Sequence, residues 1–206
     1  MLTYIYVIAI TAEAMSGALA AGRRRMDMFG VGLIAFVTAL GGGTVRDMVL
    51  GNYPITWTQH PPYIYLTILA GLLTMAVARY MHHLHKIFLV LDAMGLIAFT
   101  VIGCNVALRL DYSLPVVIMA GMMTGIFGGI LRDILCNRVP VVLQHELYAS
   151  VSLVVAVLYL TMLKFDIDHD LNLLISFGLG LSMRLAAIRW SWSLPVFHYA
   201  PGRWDE

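Results

Sequence analysis

The chain contains 206 residues, of which 60% are hydrophobic and only 12% are charged, and its formal net charge is +1. A soluble core of this size cannot bury so many apolar residues, so the composition excludes an ordinary soluble globular protein and indicates a membrane protein.

Seven stretches are apolar and long enough to cross a bilayer, which requires about 20 residues per helix. They leave almost no sequence for a soluble domain. We therefore expect an all-α, polytopic membrane protein with seven transmembrane helices. The predicted helices run over Leu2–Ala21, Phe29–Leu50, Tyr63–Tyr80, Ile87–Leu108, Leu114–Leu135, Val141–Leu163 and Leu171–Ile188.

The first predicted helix has the features of a retained segment rather than a cleaved signal. No basic residue precedes its apolar run, Glu13 interrupts it, and the arginines Arg23, Arg24 and Arg25 follow it. A cleaved signal has its positive charge before the apolar run. We therefore expect this helix to stay in the membrane.

The second and fifth predicted helices end with the same pattern, Gly-Gly-x-x-Arg-Asp, at 42–47 and 128–133. A charged side chain in the middle of a bilayer costs about 2.5 to 3.5 kcal/mol on insertion scales. Because the pattern occurs twice, it indicates a polar site that two related halves share.

Further similarities support an internal repeat. Pro54 and Pro140 each lie eight residues after the motif arginine, and Glu13-Ala14-Met15 is similar to Asp92-Ala93-Met94. Three helices followed by three more place the second copy in the opposite orientation, so we expect an inverted repeat plus a seventh helix. The predicted parts are residues 1–86, the first repeat; 87–169, the second repeat; and 170–206, the seventh helix with a tail.

Glycines suggest that the second helix is interrupted. Gly41–Gly43 are expected to break or kink it, and Thr44 followed by Asp47 has the form of a capping box for a restarted helix. The fifth helix has Phe127 and Ile130 at the positions of Gly41 and Thr44. The first break is therefore predicted to be the sharper one.

The charged residues of the two motifs are expected to find partners in the opposite repeat. Neighbouring helical residues point about 100° apart, so each arginine is predicted not to pair with the aspartate that follows it. Two interpretations remain: the charges lock the halves together, or they attract and gate cations along a hydrated path. The expected network contains Glu13, Arg46, Asp47, Asp92, Arg132 and Asp133.

Basic residues lie mainly on one side of the predicted bundle. Only Arg109 and Lys164 lie on the other side, and the positive-inside rule therefore places the N-terminus outside and the C-terminus in the cytoplasm. The residues on the basic side are Arg23, Arg24, Arg25, Arg79, Lys86, Arg138, Arg184, Arg189 and Arg203.

Other chemistry is not indicated. No nucleophile, base or metal constellation has an informative spacing, and no nucleotide-binding loop is present, so we expect neither an enzyme nor a bound cofactor or metal. Cys104 and Cys136 fall in or after separate helices and are interpreted as small packing residues.

The duplicated Gly-Gly-x-x-Arg-Asp followed by a proline, in a seven-helix chain of this length, resembles the prokaryotic relatives of the trimeric intracellular cation (TRIC) channels. The resemblance extends from Glu13 to about Arg189. The chain is also similar to a bacterial group known as the glycine transporter domain, here in two tandem copies. The basic lipid-binding loop of the animal channels has no lysine-rich counterpart in this sequence.

The channel resemblance implies a homotrimer in a prokaryotic inner membrane, with a pore in each protomer that passes monovalent cations such as potassium. Its partners would be cations, membrane lipids and copies of itself, with no nucleic acid. The glycine name implies the alternative, a secondary carrier for a small amino acid. The candidate pore and gate residues are Gly41, Gly42, Gly43, Thr44, Arg46, Asp47, Gly128, Gly129, Arg132, Asp133, Glu13 and Asp92.

Overall fold

A computed structural model describes residues 2–78, 80, 84–144 and 147–195 of the chain, and within these residues the fold is all-helical. Arg79 and Arg203, two of the basic residues from which the membrane orientation is predicted, lie outside the described residues. The elements are α1 Leu2–Arg23, α2 Met28–Leu50, α3 Thr56–Gln59, α4 Pro62–Ala78, α5 Leu84–Arg109, α6 Leu114–Leu135, a 3-10 turn Val141–Leu143, α7 Ala149–Lys164 and α8 His169–Trp190.

The structure departs most clearly from the sequence prediction after α2 and before α7. The loop after α2 contains a further short helix, α3, which is too short to appear as an apolar stretch. The predicted sixth helix begins at Ala149 rather than Val141. The cause is Pro140, after which the chain forms a single 3-10 turn instead of entering the helix.

Five of the described helices are long and apolar enough to cross a membrane: α1, α2, α5, α6 and α8. The other two apolar helices, α4 and α7, contain 17 and 16 residues and are shorter than a typical span. The chain is thus a multi-helix membrane protein.

The loops lie at the two opposite ends of the helix bundle. At the amino face, where α1 begins and α2 ends, the Tyr112 hydroxyl donates to the Leu50 carbonyl at 2.9 Å. At the carboxyl face, where α1 and α6 end, Arg24 donates to the carbonyl of Asn137. These contacts hold the helix connections at each face together.

Local sequence explains where α2 begins and ends. Asp27 is its N-cap, and its carboxylate accepts from the Gly30 N–H at 2.8 Å. Gly51 follows the last turn with φ +66°, in the left-handed region that glycine adopts without strain, and its N–H bonds the last carbonyls of the helix.

Four helices, α1, α2, α5 and α6, form the centre of the bundle. Helix α4 packs against α1 and α2, while α7 and α8 pack against each other and against α5. The centre is therefore built from the first two helices of each predicted repeat.

Helices α2 and α6 cross in direct backbone contact. A Cβ atom at Gly42 would overlap the carbonyl oxygen of Thr124, and a Cβ atom at Gly128 would overlap the carbonyl oxygen of Thr38. Close approach of this kind requires glycine at the crossing point. The two contacts are reciprocal, since each helix supplies one glycine and one threonine.

The prediction that α2 breaks at its glycines is wrong. Helix α2 is continuous from Met28 to Leu50. Thr44 caps no new helix, because its hydroxyl donates to the Leu40 carbonyl of the preceding turn at 2.7 Å. The helix tolerates Gly41–Gly43, although a central glycine costs about 1 kcal/mol relative to alanine, because Gly42 lies at the crossing with α6.

Candidate functional site

Two clusters of buried charge lie beyond the glycine crossing, one near each face. The α2 cluster consists of Arg46, Asp47, Asn52 and Thr56. The α6 cluster consists of Glu13, Ser16, Asp92, Arg132 and Asp133. Every charged member of both clusters is at most 3% exposed.

In the α2 cluster, the arginine and the aspartate of the motif bind each other. Arg46 Nε and Nη2 donate to Asp47 Oδ1 at 2.9 and 2.6 Å. Asn52 Nδ2 donates to the same oxygen at 2.9 Å. The Thr56 N–H and hydroxyl donate to Asp47 Oδ2 at 3.0 and 2.8 Å. Asp47 therefore fixes the loop after α2 against the helix end.

Trp57 attaches the same loop to the side of α2. Its indole N–H donates to the Thr44 hydroxyl at 2.9 Å, and its ring lies edge-on to Phe36 with centroids 5.6 Å apart. The loop from Asn52 to Trp57 thus folds over the carboxyl-terminal end of α2, at the amino face of the bundle.

The α6 cluster repeats the motif pairing and adds two helices to it. Arg132 Nε donates to Asp133 Oδ1 at 2.9 Å, and Arg132 Nη1 donates to Asp92 Oδ1 at 2.5 Å and to Ser16 Oγ at 2.8 Å. The Val141 N–H donates to Asp133 Oδ2 at 3.0 Å. The guanidinium also lies over the Phe88 ring, 4.7 Å from its centroid. Arg132 therefore ties α6 to both α1 and α5.

The expectation that adjacent motif residues do not pair is wrong in both halves. Helical neighbours do point in different directions, but an arginine side chain is long enough to curve around and present its Nε edge to the next residue. The aspartates Asp47 and Asp133 accept these bonds at 2.9 Å. Asp92 is a partner of Arg132, as expected.

The two motifs form no common network among the described residues. Arg46 is bonded to its own motif and the following loop, whereas only Arg132 reaches across to the other repeat, at Ser16. The two clusters are separated because α2 and α6 end at opposite faces of the bundle.

Two polar atoms of the α6 cluster have no hydrogen-bond partner among the described residues. They are Glu13 Oε2 and Arg132 Nη2, both fully shielded from solvent. Glu13 packs directly on Gly95 of α5, because a Cβ at that glycine would overlap the Glu13 carboxyl group.

The register of the repeats assigns different residues to equivalent places. Arg46 and Arg132 occupy equivalent positions of the two repeats. The same separation in sequence makes Tyr6 equivalent to Asp92 and Glu13 equivalent to Phe99. The Tyr6 and Phe99 rings meet with centroids 6.3 Å apart. The α2 cluster thus has an aromatic pair where the α6 cluster has carboxylates. The similarity of Glu13-Ala14-Met15 to Asp92-Ala93-Met94 does not follow this register.

A cavity of about 350 Å³ lies at the carboxyl face and reaches the α6 cluster at Asp133. Basic side chains surround it, and Arg23 Nη2 lies 3.0 Å from His85 Nδ1. The basic residues that line it are Arg23, Arg24, His85 and Arg138.

Tyr148, just before α7, closes the side of the α6 cluster. It is buried, its ring faces the Arg184 guanidinium at 4.8 Å, and a Cβ at Gly129 would lie 3.2 Å from its hydroxyl oxygen. Burial, together with the negative charge of Asp92, raises the pKa of the Tyr148 phenol well above its usual value. The phenol therefore stays neutral.

The sequence did not identify the uncharged members of the clusters, Ser16, Asn52 and Thr56, or the aromatic neighbours Phe88 and Tyr148. Only Asn52 and Thr56 had a usable signal, since they closely follow the motif and the glycine that ends α2. Within the described residues, no group of three or more His, Cys, Asp or Glu side chains is arranged to hold a metal ion.

The family described as Glycine transporter matches the chain twice, at residues 3–79 and 89–164. The starts of these segments have the same separation as Gly42 and Gly128, which supports the register inferred from the helix crossing. The chain therefore carries two copies of one family unit.

Bacterial membrane proteins are similar to most of the chain. The UPF0126 inner membrane protein YadS of Escherichia coli K12 is 36% identical over 200 residues, covering 96% of this chain and 97% of that protein. A UPF0126 membrane protein of Vibrio cholerae is 41% identical over 185 residues, covering 89% of this chain and 77% of the relative.

Solved structures of channels share the fold. The TRIC channel orthologue of Rhodobacter sphaeroides matches with a TM-score of 0.89 and 32% identity, covering 93% of this chain and 98% of that one. A second TRIC cation channel structure, described in terms of its conductance, matches with a TM-score of 0.87 and 34% identity over 97% of this chain and 98% of that one. The chain belongs to the family described as Glycine transporter and has the fold of the prokaryotic TRIC cation channels.

Proposed function

We propose that the protein is a membrane channel for monovalent cations, with potassium as the principal ion, and that it acts as a homotrimer with a pore in each protomer. The observation that carries this proposal is the likeness, over almost the whole chain, to structures described as TRIC cation channels. The names of the UPF0126 relatives support an inner membrane location.

The proposed pore follows the crossing of α2 and α6. Gly42 and Gly128 remove side chains where the helices meet, so a small separation of the two helices would open a path lined by backbone carbonyls. Gly41 faces the Leu131 side chain of α6, whereas Gly43 and Gly129 face the guanidinium groups of Arg46 and Arg132.

The two buried clusters are the proposed gates. Each lies at the end of the helix that carries it, and each is closed by the loop that follows, through Thr56 in the α2 cluster and Val141 in the α6 cluster. Carboxylates along a narrow path favour cations, whereas Arg46 and Arg132 oppose them. The result is a modest preference for cations that depends on how firmly the arginines are held.

We further propose that α4 and α7 also cross the membrane, which gives seven transmembrane helices. The first three, α1, α2 and α4, and the next three, α5, α6 and α7, then form an inverted repeat, with boundaries at 1–86 and 87–169, followed by residues 170–206. In this arrangement the carboxyl face, with Arg24, Arg138 and Arg189, is cytoplasmic.

A second candidate is a carrier for glycine or another small amino acid, which the description of the matching family favours. A carrier must bind the substrate carboxylate and ammonium groups and swing one repeat against the other in each cycle. Turnover would then be slow and saturable, which separates the two functions experimentally.

Planar-bilayer recording of the purified protein in potassium chloride tests the proposal. A channel should give unitary steps of current, with reversal potentials in a salt gradient that favour potassium over chloride. An absence of steps, combined with saturable glycine counterflow in vesicles of the same preparation, would replace the channel by the carrier.

A further inference from the structure

The α6 cluster contains more potential negative charge than its arginine balances. The carboxyl groups of Glu13, Asp92 and Asp133 surround one guanidinium, that of Arg132, and all four residues are at most 3% exposed. Full ionisation would place three negative charges beside one positive charge inside the bundle. Such an excess is costly where water does not reach the charges.

The excess is specific to this half of the protein. In the α2 cluster a single carboxylate, Asp47, faces a single guanidinium, Arg46. Where the α6 cluster has its two additional carboxyl groups, the α2 cluster has the aromatic side chains of Tyr6 and Phe99. The helix crossing itself therefore does not require the additional acids.

Hydrogen bonding distinguishes Glu13 from the other two acids. Asp92 accepts from Arg132, and Asp133 accepts from Arg132 and from the Val141 N–H. The Oε2 atom of Glu13 is buried and has no donor among the described residues. A buried carboxylate oxygen that carries negative charge and accepts no hydrogen bond is costly.

A bound metal ion does not fit as the compensating charge. The three acids are not arranged as a metal-ligating group within the described residues. The Glu13 carboxyl group also fills the space that a side chain at Gly95 would occupy, so α5 and the carboxyl group are already in contact. A proton is the cation that needs no additional room.

We propose that Glu13 is a proton-binding site: its carboxyl group holds a proton while Asp92 and Asp133 remain ionised against Arg132. The proton comes from water and returns to water, and only the bond between the proton and the Glu13 carboxyl oxygen forms and breaks. The cavity at the carboxyl face, which reaches Asp133, lies on the water side of the cluster.

Loss of the proton changes the balance around Arg132. Asp92 and Asp133 bind Nη1 and Nε of the guanidinium, and Nη2 has no acceptor among the described residues. An ionised Glu13 would compete with both aspartates for the same guanidinium. Proton binding therefore determines whether two or three carboxylates compete for the guanidinium that ties α6 to α1 and α5.

The neighbouring elements supply the groups that face Glu13. Asp92 of α5, Arg132 and Asp133 of α6, and Tyr148 before α7 interact with it electrostatically. Further titratable groups on the elements packed against α1 lie in the α2 cluster or elsewhere on the bundle: Asp27 before α2, Arg46 and Asp47 on α2, Tyr63 and Tyr65 on α4, and His85, Lys86, Cys104 and Arg109 on α5.

Infrared spectroscopy of the purified protein in lipid vesicles tests the site directly, because a protonated carboxyl group has a carbonyl stretch that a carboxylate lacks. The wild type should show this band at neutral pH, and Glu13→Gln should remove it. Asp111→Asn, which changes an exposed loop carboxyl group, should retain it. Glu13→Asp should shift the band without abolishing it, and this variant decides the matter if Glu13→Gln does not fold.

A band unchanged in both Glu13 variants, or one removed by Asp92→Asn alone, would overturn the proton site. A second test, which rests on the proposed channel function, measures potassium flux from the same vesicles. The flux should depend on pH in the wild type and should lose that dependence in Glu13→Gln. An unaltered pH dependence in that variant would contradict a role for the proton in conduction. If the infrared band behaves as expected and no variant conducts, the proton site stands and the channel proposal fails.

Discussion

Arg132 Nη1 of α6 lies 2.5 Å from Asp92 Oδ1 of α5, and the same nitrogen donates to Ser16 of α1. One buried guanidinium thus connects three of the four central helices. Among the described residues, the corresponding arginine, Arg46, bonds only to its neighbour Asp47 and to Thr56 at the start of α3. The two halves use the same motif for different tasks: one holds helices together, and the other holds a loop.

Replacing Arg132 with alanine should destabilise the protein strongly. The change leaves Asp92 and Asp133 without their charged partner in a buried site, at a cost of about 3 to 5 kcal/mol. Unfolding in detergent, compared with Arg189→Ala at an exposed position on α8, measures the effect. A similar small loss in both variants would show that the α6 cluster is hydrated.

A double-mutant cycle identifies the main partner. Asp92→Asn in the Arg132→Ala background should recover part of the lost stability, because it removes a buried charge that has become unpaired. Strict additivity of the two changes would show that the 2.5 Å contact carries no coupling energy.

The sequence was sufficient to predict which charged residues of the helices are buried together. Charged side chains in apolar stretches must be buried among partners, so Glu13, Asp92 and both motifs could be identified without a structure. Their pairing could not be predicted from helical geometry. The pairing depends on how far an arginine side chain bends. Arg46 reaches Asp47 because of its side-chain rotamer and not because the two residues share a helix face.

The glycines were expected to break α2, but the helix runs through them without interruption. A run such as Gly41–Gly43 is compatible both with a broken helix and with a close helix crossing. Only the position of Thr124 on the neighbouring helix distinguishes them, because that contact involves residues far apart in the chain. The register of the repeats could not be predicted from the sequence either, because Tyr6 and Asp92 are chemically too different to be matched by residue type.

Replacing Thr56 with valine should loosen the loop after α2. The change removes a hydroxyl that donates to Asp47 at 2.8 Å and keeps the shape of the side chain. Because Asp47 is fully buried, we expect a loss of about 1 to 3 kcal/mol. Thr58→Val, at an exposed position of α3, is the matched control and should change the unfolding free energy by less than about 0.5 kcal/mol. Equal losses of unfolding free energy in the two variants would mean that the hydrogen bond from the Thr56 hydroxyl to Asp47 does not stabilise the loop.

Cysteine labelling tests the proposed orientation in the membrane. Thr58→Cys at the amino face should react with an impermeant maleimide in intact cells, and Val139→Cys, at a position 65% exposed on the carboxyl face, should react only after permeabilisation. The native thiols should add little background, since Cys104 and Cys136 are buried and burial raises the pKa of the Cys136 thiol. The opposite labelling pattern would reverse the orientation.

Leucine in place of Gly42 should reduce the unitary current through the proposed pore. Its side chain would enter the space that now holds the Thr124 carbonyl oxygen, so it would fill the crossing of α2 and α6 and force the helices apart at a cost of about 1 to 3 kcal/mol. Gly178→Leu is the matched control, because a Cβ at that exposed position of α8 meets nothing within 4 Å. Bilayer recordings should show smaller or absent steps for Gly42→Leu and wild-type steps for Gly178→Leu. If both variants carried the same unitary current, ions would have to pass somewhere other than between α2 and α6, and the reciprocal contacts of Gly42 and Gly128 would serve packing alone.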